Sequence, residues 1–63
     1  MSMKDINNGS LYVNQTNNQI LRVRSKANSN SVLATYEDNG AVAAVPAAQL
    51  RIASDDEVNG FLA

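Results

Sequence analysis

The sequence predicts an all-β domain: five short antiparallel strands forming a small barrel or a curved sheet, followed by a short C-terminal helical turn. Three observations carry that expectation. Asn39-Gly40 sits between the β-formers Tyr36 and Val42, and Asn-Gly tolerates the positive φ that a tight strand reversal demands. Residues 19–25 alternate apolar and polar, the period of a half-buried strand. Clusters of Asn, Ser and Gly interrupt the apolar segments at short intervals, which leaves room for strands but not for long helices.

With 63 residues the chain is one domain, and although 44% of it is hydrophobic, nine of those residues are Ala. The bulky core candidates are mainly six Val, three Ile, five Leu, two Tyr and one Phe. A chain of this size buries only about 60% of its unfolded surface and commonly adds disulfides, a metal or a partner subunit. Cys and His are both absent, which removes disulfides and thiolate or imidazole metal ligands. Self-association is the remaining means of support.

Residues 1–9 are polar, with Ile6 as the one plausible anchor, and are expected to be a flexible terminus ahead of a single small β domain over 10–63. Leu11-Tyr12-Val13 makes the first strand, near 10–14, and Asn14 to Asn18 a polar turn. The second strand, 19–25, turns Leu21 and Val23 to the core and Ile20, Arg22 and Arg24 outward. After a loop, the third strand at 31–37 sets Val32, Ala34 and Tyr36 inward against Leu33, Thr35 and Glu37 outward.

Two registers are open for the hairpin that follows. A two-residue Asn39-Gly40 turn opposes Tyr36 to Ala43 and Ala34 to Val45; a three-residue loop with a glycine bulge opposes Tyr36 to Val42 and Ala34 to Ala44. The fourth strand, 41–45, carries no charge, so either both its faces are covered or one is exposed and adhesive. Pro46 lacks a donor and closes it, Pro46 to Gln49 suits one 3₁₀ turn, and 50–53 is the last strand. Ser54-Asp55-Asp56-Glu57 is a capping box, with Val58, Phe61 and Leu62 as the apolar stripe of a short helix laid over an open end of the sheet.

Tyr36, Glu37, Asp38 and Gly40, followed by Val45, Pro46 and Leu50, form a stretch that resembles the SH3-like small β-barrels, including Tudor-type modules. The resemblance covers roughly Leu11 to Ile52 and implies five strands with a one-turn helix before the last. It implies no activity.

Without His or Cys, a general base would have to be one of the six acids, and these fall in a terminus, beside a turn and at a helix start. None of those settings supplies the burial or pairing that raises a carboxylate into catalytic range, so the protein is not expected to be an enzyme. Asp55-Asp56-Glu57 and Asp38-Asn39-Gly40 lack the ligand alternation of a calcium loop, and the three Gly are isolated, so no metal, phosphate loop or cofactor is expected. Arg22 and Arg24, about 6.5–7 Å apart along a strand, could track phosphates with Lys26 extending the row. A net charge of −1 and only three aromatic rings argue against that reading.

No apolar run reaches membrane-spanning length, and a soluble, cytoplasmic protein is the expectation. The expected function is a small non-enzymatic protein-interaction module of the accessory or regulatory kind found in bacteria and phages. It would act on a protein partner or on itself as a homodimer, through a sheet surface marked by Arg22, Arg24, Leu33 and Glu37. The alternatives are a self-assembling structural subunit and a weak nucleic-acid-binding barrel using Arg22, Arg24 and Lys26. The C-terminal helix could instead fold back over the outer patch and cover it.

Overall fold

The computed structural model describes residues 1–62, Leu62 by its backbone alone. Five strands, β1 (Leu11–Asn14), β2 (Gln19–Lys26), β3 (Ser31–Tyr36), β4 (Val42–Pro46) and β5 (Leu50–Ile52), precede one helix, α1 (Asp55–Leu62). They make one antiparallel sheet in the order β4-β3-β2-β1-β5 that does not close, so β4 and β5 are its edge strands among the described residues. A 3₁₀ turn at Ala47–Gln49 turns the chain from β4 into β5, as Pro46 and the two Ala predict.

One face of the curved sheet carries the core: Tyr12, Leu21, Val23, Val32, Ala34, Val45 and Leu50, each alternating with outward residues along its strand. The first nine residues depart from the expected free end. Met3–Asp5 forms a 3₁₀ turn, and Met1, Met3 and Ile6 pack against the core cluster. The amino group of Met1 donates to the Ala47 carbonyl at 2.9 Å, and Asn7 N–H donates to the Tyr12 hydroxyl at 2.9 Å. An open sheet of this size cannot bury its core face alone, and three apolar side chains from a non-periodic segment pack against it.

Curvature comes from β2. Gly9 N–H donates to the Val23 carbonyl at 2.7 Å while Val23 N–H donates to Ser10 at 3.1 Å, so two residues oppose one, with Gly9 at φ +86°. On its other side β2 pairs Val23 with Ala34 and then Ser25 with Leu33, leaving Arg24 as an unpaired bulge residue. Two irregularities thus meet at Val23, and bulges of this kind bend and twist the strands that carry them.

The β3–β4 hairpin takes neither expected register. Thr35 opposes Val42, Ala34 opposes Ala43 and Val32 opposes Val45, and Tyr36 N–H bonds to the Ala41 carbonyl at 2.8 Å, so the loop is Glu37 to Gly40. Gly40 N–H reaches back to the Tyr36 carbonyl at 2.8 Å, closing one helical turn, and Asn39 Oδ1 accepts from Ala41 N–H at 3.0 Å. Positive φ therefore falls on Gly40 (+72°) and not on Asn39, which excludes the tight Asn-Gly turn.

Val13 turns to the opposite face, beside its cross-strand neighbours Ile20 and Arg51, and is wholly buried. α1 lies over it: Arg51 holds Glu57 through paired bonds of 2.7 and 2.8 Å, and Phe61 borders a recess with Ile20. The side chain of Leu62, the other expected member of that stripe, lies outside the described residues. The capping box forms in both directions, Glu57 N–H to Ser54 Oγ at 3.2 Å and Ser54 N–H to Glu57 Oε1 at 3.0 Å. Ser54→Ala is expected to cost about 0.5–2 kcal/mol, read as a lower denaturation midpoint.

The hydrogen bonds from Arg51, then that from the Ser54 backbone, hold the Glu57 carboxyl down from 4.5 to about 2. A depressed carboxylate stabilises the fold at pH values above its unfolded pKa and loses that contribution as pH falls through the folded one. The difference in melting temperature between the wild type and Glu57→Gln is therefore expected to be constant above about pH 5 and to shrink toward pH 2. A difference independent of pH would show the pair unformed in solution.

Candidate interaction surface

The outward face of the sheet divides in two. At the β5 and β1 side, Arg51, Val13 and Ile20 stand in a cross-strand row that α1 covers. The neighbouring row, Leu11, Arg22, Thr35 and Val42, runs out to the β4 edge, and beyond it lie Ser25, Leu33 and Ala44, then Ser31 and Pro46. Val42 is 52% exposed, Ala44 and Pro46 are exposed, and Leu33 and Thr35 are half-buried. β4 carries no charged residue, so its outer side is a strip of small apolar groups.

Arg22 borders this strip with its charge already engaged. Its Nε–H donates to Glu37 Oε1 at 3.0 Å, and Nη1–H to the Gly9 carbonyl at 2.8 Å. Both partners are partly exposed, so the pair contributes orientation rather than much stability. Arg22, Glu37 and Leu33 thus share one face, with Leu33 in the row next to that of Arg22.

The expected basic row is corrected. Arg24 is the extra residue of the bulge, and past it the alternation of β2 reverses, so that Lys26 opposes the core residue Val32 and borders a groove with Met3, Ile6 and Asn8. Arg22 and Lys26 face opposite sides of the sheet. Nothing in the sequence around Arg24, neither Gly nor Pro, announces the bulge.

A recess of about 500 Å³ adjoins the covered row, lined by Ile20 and Phe61 on its apolar side and by Gln19, Glu37 and Asp38 on its polar side. Sequence reasoning missed it because it joins a turn, a hairpin loop and a helix end that are remote along the chain. Ile52, 72% exposed on the β5 edge, is a second apolar feature that its strand position conceals.

Among the described residues no cluster of three metal-ligating side chains occurs, and no helix is long and apolar enough to cross a membrane. Compared with protein-family models, with curated proteins and with solved structures, the chain matches none.

Proposed function

We propose that this protein is a small non-enzymatic interaction module of SH3-like topology, an accessory or regulatory protein that binds a protein partner through the outward face of β3 and β4. The observation that carries this reading is the uncovered, uncharged strip Val42, Ala44 and Pro46 beside Leu33, bordered by the Arg22–Glu37 pair. An apolar centre with a polar border is the usual layout of a protein interface. α1 is committed to the Val13 side and leaves the strip open.

The strand order and the 3₁₀ turn before β5 support the SH3-like assignment. Its free edge favours protein over nucleic acid as partner. By the alternation of antiparallel bonds, Val42 and Ala44 point their backbone donors and acceptors away from β3, where an incoming strand could pair with them. The same edge supports the second reading, self-assembly with another copy. The split of Arg22 from Lys26 weakens the nucleic-acid reading.

Val42→Asp and Leu33→Asp place a charge in the strip. Val42 is on an exposed edge, so Val42→Asp is expected to alter stability by no more than about 1 kcal/mol while weakening partner binding at least about tenfold. Light scattering over a wide concentration range separates the two readings: a dimer that Val42→Asp dissociates supports self-assembly, and a strict monomer supports a different protein as partner.

A further inference from the structure

All three glycines of the chain follow asparagine, as Asn8-Gly9, Asn39-Gly40 and Asn59-Gly60, and a side chain at any of the three would meet nothing within 4 Å. A glycine after asparagine offers no side chain to hinder one reaction. The glycine nitrogen, after losing its proton to base, attacks Cγ of the asparagine. The bond from Cγ to the amide nitrogen breaks, ammonia leaves, and a cyclic imide remains. Water then opens the imide at either carbonyl to give aspartate or isoaspartate. A glycine N–H held in a backbone hydrogen bond is withheld from that first step.

Two of the three pairs are held by bonds to the sheet or within a closed loop. Gly9 N–H is bound at 2.7 Å to Val23 of the central strand. Gly40 N–H is bound at 2.8 Å to Tyr36, and Asn39 Oδ1 is itself engaged by Ala41 N–H. Gly60 lies inside the last turn of α1, an eight-residue helix with no basic residue in that turn. Local opening is least costly there.

We infer that Asn59 is a site of spontaneous deamidation, restrained by the last turn of α1, and that its conversion releases the helix end from the sheet. A carboxylate at position 59 lies four residues after Asp55 and three after Asp56, so three like charges share one side of a short helix, the new one at its negative end. The isoaspartyl product also lengthens the backbone by one carbon, which breaks the helical repeat. Either product frees Phe61 from its place beside Ile20 and uncovers the second half of the outward face.

The test is peptide mass mapping of the native protein held in mildly alkaline buffer, with a parallel sample in urea. Asn59 is expected to convert at least about tenfold faster than Asn8 and Asn39 in the native protein, with the three rates converging in urea. Native rates that are equal at the three sites, or led by Asn8 or Asn39, would overturn the inference. Asn59→Asp is expected to reduce the helical signal and shift the Phe61 ring resonances; an unchanged spectrum would refute the release of the helix end.

Discussion

Leu21→Ala is expected to leave much of this protein unfolded in the absence of denaturant. Leu21 is wholly buried in the middle strand of the sheet, opposite Tyr12 on one side and Tyr36 on the other. Truncating such a leucine costs about 2–5 kcal/mol, through lost transfer energy and the cavity that remains. A domain of this length has only about 3–9 kcal/mol to lose, at about 0.05–0.15 kcal/mol per residue. Its cluster neighbours Tyr12, Val23 and Ala34 are fixed on paired strands, so the space is not refilled without moving the sheet. Urea titration followed by circular dichroism checks this: a midpoint displaced by less than 1 kcal/mol equivalent would mean that the core is looser than its burial indicates.

The second large effect is expected at Asn14, the buried polar side chain of the sheet, which faces the core beside Tyr36. Its Nδ2–H donates to the Tyr36 hydroxyl at 2.9 Å, while Oδ1 accepts from Thr16 N–H at 2.9 Å and Thr16 Oγ–H at 2.7 Å. The same carboxamide therefore pins the β1–β2 turn and ties β1 to the end of β3. Asn14→Ala removes all three bonds and strands the groups that made them, for an expected loss of about 2–3 kcal/mol. Amide exchange should accelerate at Thr16 and around the turn. Unchanged exchange there would show that the turn is held by the Asn17 and Asn18 backbone bonds to Asn14 instead.

Alternation and turn chemistry are local signals, and what depends on them was legible: all five strands, the inward set Leu21, Val23, Val32 and Ala34, the 3₁₀ turn after Pro46 and the capping box at Ser54. Three features lay beyond such reasoning. The hairpin register turned on which carbonyl Gly40 N–H would find, a choice among backbone groups that side chains do not encode. The bulge at Arg24 is a register shift between β2 and β3 that no Gly or Pro in β2 signals. Met1, Met3 and Ile6 lack any period and find their place only once the core face exists.

Of the four residues singled out for the surface, Arg22 and Glu37 meet as an ion pair and Leu33 shares their face, because β2 and β3 keep register as far as Val23. Arg24 does not continue the pattern, and the more exposed apolar residues on that face, Val42, Ala44 and Pro46, belong to a strand whose facing depended on the unresolved hairpin register.

The working surface is tested most directly by quantitative affinity capture with three baits: the wild type, Val42→Asp and Ile52→Asp. Ile52 is the more exposed hydrophobe of the two but lies on the β5 edge, at the far side of the sheet from β4, so it controls for nonspecific adhesion to apolar groups. A partner retained by the wild type and by Ile52→Asp but lost with Val42→Asp is the expected result. Equal capture by wild type and Val42→Asp, or loss with Ile52→Asp instead, would contradict a binding surface on the outward face of β3 and β4.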